Sequence, residues 1–367
     1  GNIALDANVT VGNTAVLNAN GTGGITQTSG KLLTAPILSL SSGIGGVGPL
    51  HTNSSTIAVN TLGNATITND RTAVLLASVG GNFNFNNNGT LAIISLEAGG
   101  NIKVDAFGNI YSIGNIIGDN VEMNATLGRI GMAGDVRGKS SVKLTTTVGS
   151  VTQLFSDNVI SAPVVEITSD NGDIGMSINY LHVRAPRITV ATDGDIFLDS
   201  KEKTTLSVPR TGSFYFTGAG GLTLNTDLSA QAKKDGTGAN VNLTVTGGPL
   251  ATQNITANGT GFTKNGGNIN LIATGPDGDI TTGILTAMGL NNANGGTVHL
   301  HTTLGDINVP VINVSAHGIG TGGNVIIDPI VININYIDAT STGGAGGAVT
   351  LQADQRISLG GVNAGGF

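Results

Sequence analysis

Apolar and polar residues alternate along short stretches of this chain, and these stretches recur at a regular interval. Each unit has two apolar residues one position apart, then a polar run, and then a glycine followed two positions later by Ile or Val. Alternation with a period of two is typical of a strand with one buried face. The clearest units are Val121-Glu-Met123 with Gly128-Arg-Ile130, Val142-Lys-Leu144 with Gly149-Ser-Val151, Val165-Glu-Ile167 with Gly172-Asp-Ile174, Ile188-Thr-Val190 with Gly194-Asp-Ile196, and Val298-His-Leu300 with Gly305-Asp-Ile307.

The interval between units predicts a repeat architecture. A repeat of roughly 20–30 residues is the range of solenoid folds. About fifteen units can be marked, at an average spacing of about 24 residues, and they predict an all-β chain folded as a β-helix (β-solenoid). The first apolar residues of these units are Ala15, Leu38, Ile57, Val74, Ile94, Val121, Val142, Val165, Ile188, Leu222, Val241, Ile269, Val298, Val325 and Val349.

Short strands of this kind are stable only when they are stacked. A strand of a few residues cannot bury its apolar face alone, but stacked coils about 4.8 Å apart pair every backbone group with the coils above and below. Glycine is expected at the corners because corners often need a positive φ, where a Cβ atom would clash. Asparagine is the next most tolerant residue there, and its side chain can also form ladders between coils.

The regular spacing of the units predicts one continuous solenoid over residues 1–367, with two loop insertions where the spacing lengthens. The first, around 199–220, carries Lys201-Glu-Lys203 and the aromatic run Phe214-Tyr215-Phe216, which we expect to fold back onto the shaft. The second, around 246–267, is polar. Insertions in a solenoid leave the shaft as loops on one side.

Composition narrows the class of protein. Glycine makes up 58 of 367 residues and charged residues only 11%, yet 39% are hydrophobic, so the ordered alternation argues against disorder. The net charge of −7 and two short basic clusters, at 201–203 and at Lys233-Lys234, do not form the basic stripe that nucleic acid requires. The absence of cysteine excludes a disulfide scaffold. No apolar run is long enough to span a bilayer, so no membrane span is expected.

One family resemblance rests on a set of glycine-led phrases. They are Gly266-Gly-Asn-Ile-Asn-Leu271, Gly278-Asp-Ile-Thr-Thr282, Gly295-Gly-Thr-Val-His-Leu300, Gly305-Asp-Ile307 and Gly346-Gly-Ala-Val-Thr-Leu351. These phrases resemble the shaft of filamentous-haemagglutinin-like exoproteins, large bacterial surface adhesins exported by two-partner secretion. The resemblance implies a right-handed parallel β-helix, secretion, and a role as an adhesin or surface fibre. The Asn-Pro-Asn-Gly type of motif that marks the secretion domain of that family has no clear counterpart here. Autotransporter passengers and other β-helical surface fibres share the same repeat pattern.

A β-helical polysaccharide-active enzyme or carbohydrate-binding module is the alternative interpretation. Pectate-lyase-like enzymes need clustered carboxylates for Ca²⁺ and a basic residue that abstracts a proton. Asp173, Asp195, Asp279 and Asp306 share one place in the repeat, just after the corner glycine. Other coils place Arg129, Ser150 and Asn101 there, and Asp is favoured at turns, so these residues are expected to be structural. A viral tail fibre or spike is a third possibility.

Other candidate sites are weaker. His299 and His301 flank the inward Leu300 and should both point outward, but no third metal ligand is evident and His317 lies in a distant loop, so no metal site is expected. Gly45-Gly-Val-Gly48 lacks the Asp of Ca²⁺-binding repeats. The threonines at 145–147 and 302–303 are not repeated in register, which argues against ice binding. The Asn-x-Ser/Thr sequons, among them those at Asn8, Asn64, Asn124, Asn254 and Asn313, are about as frequent as chance predicts.

The sequence therefore predicts a non-enzymatic, secreted or cell-surface structural or adhesive protein with no catalytic residues and no cofactor. It acts as a rigid β-helical stalk or as the subunit of an extracellular fibre. Both ends lie within the strand pattern and neither has a recognisable cap, so we expect stacking on further coils of a longer chain or on other copies. Host or neighbouring-cell glycans or proteins are the other expected partners.

Overall fold

The structure, a computed structural model, describes residues 1–232, 236–260 and 264–367. The basic pair Lys233-Lys234 and part of the predicted insertion at 246–267 lie outside the described residues. No helix occurs in the described part of the chain, so none there could cross a membrane. The chain forms a parallel β-solenoid of about sixteen turns, which confirms the predicted right-handed β-helix of about fifteen coils.

The chain divides into two compact units, residues 1–184 and 185–367. The single continuous solenoid over residues 1–367 stays a prediction. The first unit contains strands β1 (Ile3–Leu5), β2 (Val9–Thr10), β3 (Thr14–Ala19), β4 (Ile25–Gln27), β5 (Leu33–Thr34), β6 (Ile37–Ser42), β7 (Val47–Asn53), β8 (Thr56–Thr61), β9 (Ala65–Asn69), β10 (Ala73–Val79), β11 (Phe83–Asn87), β12 (Leu91–Ala98), β13 (Ile102–Ala106), β14 (Ile110–Ser112), β15 (Ile116–Ala125), β16 (Ile130–Met132), β17 (Val136–Thr146), β18 (Val151–Gln153), β19 (Ile160–Ser161), β20 (Val164–Ser169) and β21 (Leu181–Arg184).

The second unit contains strands β22 (Arg187–Thr192), β23 (Ile196–Ser200), β24 (Thr204–Arg210), β25 (Phe214–Gly218), β26 (Leu222–Leu224), β27 (Leu228–Ser229), β28 (Val241–Val245), β29 (Leu250–Ala251), β30 (Ile255–Thr256), β31 (Asn268–Ala273), β32 (Ile280–Thr281), β33 (Leu285–Thr286), β34 (Thr297–Thr302), β35 (Asp306–Asn313), β36 (Asn324–Asp328), β37 (Val331–Asp338), β38 (Val349–Leu351) and β39 (Arg356–Asn363).

Three parallel ladders form the first unit. Ladder A joins β1, β4, β7, β9, β11, β13, β15, β17 and β20. Ladder B joins β3, β6, β8, β10 and β12, and continues through β15, β17, β19 and β21. Ladder C joins β2, β5 and β7, and then β12, β14, β16 and β18.

The second unit also has three parallel ladders. Ladder D joins β23, β25, β28, β31, β34, β36 and β38. Ladder E joins β22, β24, β26, β29, β32, β35, β37 and β39. Ladder F joins β27, β30 and β33 to the later part of β35, β37 and β39.

The core of each unit consists of columns of equivalent apolar residues, because in-register parallel pairing places each inward side chain on its equivalent in the next coil. In ladder A, one buried column runs from Phe83 through Ile102, Val121 and Val142 to Val165. The alternation read from the sequence marked three of these five positions by their aliphatic residues, Val121, Val142 and Val165, and Phe83 and Ile102 continue the same column.

A polar column lies within the first unit beside these apolar columns. Asn69 and Asn87 are completely buried at equivalent positions of β9 and β11. The Asn69 amide Nδ2 donates to Asn87 Oδ1 at 2.9 Å, and Thr52 Oγ1 donates to Asn69 Oδ1 at 3.0 Å. The Asn87 amide in turn donates to the Thr90 carbonyl at 3.2 Å. The buried amides are thus bonded from coil to coil, and this bonding offsets the cost of their burial.

The stretch at 199–220 differs from its prediction as a loop insertion. It contains β24 and β25, and Phe214 and Phe216 are buried in the ladder D core. Phe214 pairs with Ile196 on one side and Val241 on the other, so it occupies the place that Val or Ile fills in other coils. Marking coils by aliphatic pairs alone therefore missed this member of the column. The described part of 246–267 likewise contributes ladder strands, β29 and β30.

The expected positive φ occurs at some glycines, among them Gly175 and Gly275, but other corner glycines are required for a different reason. Gly128, Gly149, Gly172 and Gly305 all lie outside the left-handed region. A Cβ atom on Gly149 would lie 2.5 Å from the Gly128 carbonyl oxygen, and one on Gly172 would lie 2.5 Å from the Gly149 carbonyl carbon. At Gly149 and Gly172 successive corners stack too closely for a side chain, and this close approach selects glycine there.

Candidate functional surfaces

Corner side chains bond each coil to the next. In the first unit, Asn64 Oδ1 accepts the backbone N–H of Asn82 at 2.8 Å, and Asn82 Oδ1 accepts that of Asn101 at 2.8 Å. Asn109 Oδ1 accepts the N–H of Arg129 at 2.9 Å in the same way. The coil-to-coil role expected for asparagine is therefore confirmed at the corners, where the side chain bonds to backbone of the following coil.

Asp195 and Asp279 follow the same rule. Asp195 Oδ1 accepts the Ser213 N–H at 2.7 Å, and Asp279 Oδ1 accepts the Asp306 N–H at 2.8 Å. Asp173 lies one coil after Ser150, whose Oγ accepts the Asp173 N–H at 3.0 Å. These contacts give the aspartates a bond that Asn or Ser provides equally well elsewhere. That equivalence explains why the repeat accepts all three residue types at this position.

The two histidines of ladder D lie where the sequence placed them, on the outward face of β34. Their ring centroids are 6.4 Å apart, and each contacts a residue of a neighbouring coil. His299 Nδ1 lies 2.8 Å from Asn270 Oδ1, and His301 Nδ1 lies 3.7 Å from Asp328 Oδ2. Burial lowers the pKa of His299, and the positive charge of His301 lowers it further. Among the described residues, no three His, Cys, Asp or Glu side chains are grouped so as to hold a metal ion.

An alternating charge stripe runs along ladder A. Lys103, Glu122, Lys143 and Glu166 occupy equivalent outward positions of β13, β15, β17 and β20. Lys103 Nζ lies 3.5 Å from Glu122 Oε1, and Lys143 Nζ lies 3.6 Å from Glu166 Oε2. The hydrogen bond from the Asn124 amide, together with the two flanking lysines, lowers the pKa of Glu122. The sequence held a signal for this stripe, because each charge directly follows the first apolar residue of its unit.

The outward face of ladder B across β3, β6, β8, β10 and β12 is different in character. We refer to it as the ladder B face. A shallow groove of about 520 Å³ crosses it, and small side chains line much of it. Five large apolar side chains are also exposed there, namely Val16, Ile37, Val74, Leu76 and Ile94. Sequence reasoning assigned outward positions to polar residues and so missed this face.

Comparison with models of known protein families, with curated proteins and with solved structures found no match to this chain.

Proposed function

We propose that this chain is a non-enzymatic, secreted or cell-surface protein, whose β-helix serves as a stalk or fibre subunit in attachment or in an extracellular filament. The resemblance of its glycine-led phrases to filamentous-haemagglutinin-like shafts supports this proposal. According to this proposal, further coils or other copies of the chain stack at the ends of the β-helix, and the protein binds glycans or proteins of a neighbouring cell.

The observation that carries the proposal is the use of the repeat's polar side chains. Asparagine, aspartate and serine at the corners accept hydrogen bonds from the backbone of the following coil, as at Asn82, Asp279 and Ser150. The charged residues of ladder A pair along the stack in the same direction. A catalytic site would need such groups aimed together at a substrate. In this protein these side chains instead bond one coil to the next, as expected for a protein with a mechanical role.

Rigidity follows from the same arrangement. Within each unit, coils are joined by backbone hydrogen bonds, by apolar columns and by corner side chains, so bending a unit requires several kinds of contact to break together. A stiff, protease-resistant shaft of this kind holds binding surfaces away from a cell.

The test is to locate and image the protein on the cells that produce it. We expect immunogold labelling outside the cell and extended structures that survive protease treatment. Incubation of the purified chain with polyuronides and Ca²⁺ should yield no unsaturated product absorbing ultraviolet light. Labelling confined to the cytoplasm, or formation of that product, would overturn the proposal.

A further inference from the structure

The ladder B face combines exposed apolar side chains with a lack of charge. Val16, Ile37, Val74, Leu76 and Ile94 are between 37% and 66% exposed. The outward positions of β3, β6, β8 and β10 carry no charged residue, and Glu97 on β12 is the first one reached. Ladder A of the same unit instead presents four charged residues in a row. Depletion of charge around exposed apolar residues is characteristic of the centre of a protein interface.

Projecting and small side chains on this face lie in a definite order. Ser39, Ala58 and Leu76 are equivalent residues of β6, β8 and β10, so Leu76 stands one coil beyond Ala58 and two beyond Ser39. Ile37 and Val74 are likewise equivalent residues of β6 and β10, each two positions before Ser39 or Leu76 on its strand. Strand β8 lies midway between these two strands.

This order is self-complementary under a two-fold rotation about an axis along β8. That rotation lays β6 of one copy against β10 of the other, and β3 against β12. Leu76 of each copy then meets Ser39 of the other, Ile37 meets Val74, and Ala58 meets its own counterpart. An isologous interface requires this kind of match between a patch and itself. Glu97 falls opposite Asn18, whose side-chain amide can donate to its carboxylate.

The parallel arrangement of two copies lacks this match. It would set Leu76 against Leu76 and Ser39 against Ser39 at the centre of the face, and it would place Glu97 against the apolar start of β12 instead of against Asn18. Two facing leucines hold the central strands apart, so dispersion contacts are lost there. The antiparallel arrangement is therefore the favoured one.

We propose that the ladder B face is a lateral docking surface for a second copy of this chain, packed antiparallel about a two-fold axis along β8. The proposal goes beyond stacking of coils at the ends and does not depend on the adhesive role. Five strands of about six residues cover roughly 20 by 24 Å, so about 1,000 Å² is buried in total over both copies. This area is near the minimum for a specific interface, and the dimer is expected to be weak and dependent on concentration.

Sedimentation over a wide range of micromolar concentrations tests the proposal. We expect the average mass of the wild-type chain to rise with concentration and to level off at twice the monomer mass. Leu76→Glu should lower the association constant about tenfold or more, because it places a charge in the centre of the interface. The matched control is Ile326→Glu, which alters an equally outward residue of ladder D that is 41% exposed and should leave association unchanged. Circular dichroism checks that both variants fold.

Disulfide cross-linking tests the antiparallel geometry. Because the chain has no native cysteine, only the introduced cysteines can form a disulfide. An equal mixture of Asn18→Cys and Glu97→Cys chains should form a mixed disulfide dimer under mild oxidation. Asn18→Cys mixed with Ile326→Cys should not. A wild-type chain that stays monomeric, an association that Leu76→Glu does not weaken, or failure of the Asn18–Glu97 pair to cross-link would each overturn the proposal.

Discussion

Gly149 gives the sharpest test of why this repeat contains so much glycine. An added Cβ atom there would meet three backbone atoms of the preceding corner at 2.5 to 2.7 Å, where ordinary contact begins at 3.4 Å. The Gly128 and Arg129 backbone atoms concerned belong to a hydrogen-bonded coil, so Gly149→Ala must push two coils apart by several tenths of an ångström.

The expected change in the free energy of unfolding for Gly149→Ala is the balance of two opposing effects. Overpacking with backbone displacement costs about 1–3 kcal/mol. Replacing glycine by alanine recovers about 0.4–1 kcal/mol through the reduced entropy of the unfolded chain. We expect Gly149→Ala to destabilise the protein by about 1–2 kcal/mol.

Two other glycines serve as controls. Gly12 has a φ outside the left-handed region and no atom within 4 Å of its added Cβ, so Gly12→Ala should leave stability unchanged or raise it slightly. Gly131, close to Gly149 in the same unit, would meet only ring carbons of Tyr111, the nearest at 3.1 Å. Because that ring can move aside, Gly131→Ala should cost less than Gly149→Ala.

Guanidinium denaturation followed by far-ultraviolet circular dichroism measures the three variants. With a denaturant slope of about 3 kcal/mol/M or more, Gly149→Ala should lower the midpoint by up to about 0.7 M. Equal midpoints for Gly149→Ala and Gly12→Ala would refute the close-stacking explanation.

Three further predictions concern the polar groups. Asn87→Ala should cost about 1–3 kcal/mol by removing the buried acceptor of the Asn69 amide, and thermal unfolding measures that loss. Glu122→Gln removes a carboxylate whose pKa is lowered in the folded state, so the stability difference from wild type should exist above about pH 4.3 and vanish as pH falls through the folded pKa; a difference that persists in acid would contradict this. Proton NMR titration should give His299 a pKa below 6.5, and His301→Gln should raise it, because one neighbouring positive charge is removed. The stability attached to the lowered His299 pKa is present above pH 6.5 and is lost as pH falls towards the folded value.

The stretch that was predicted as a loop but forms β24 and β25 shows how much of the fold the apolar–polar alternation can predict. Strands β24 and β25 alternate as regularly as their neighbours, and their buried residues include Leu206, Phe214 and Phe216. Reading the aromatics as a loop followed from expecting only aliphatic residues in the columns. The ring of Phe216 fits because the next inward position is Gly218, where a Cβ atom would lie 2.8 Å from that ring. Such a compensation between neighbouring inward positions is visible only once the side chains are placed.

The sequence by itself determined the fold of this protein. Its period of two, its unit length and its corner glycines and asparagines are local properties, and they recur often enough along the chain to specify stacked coils. Tertiary structure alone decided which outward residues become neighbours, since residues about 20 to 30 positions apart come together only when the register between coils is set. The charge stripe from Lys103 to Glu166, the Asn69–Asn87 column and the uncharged ladder B face all depend on that register.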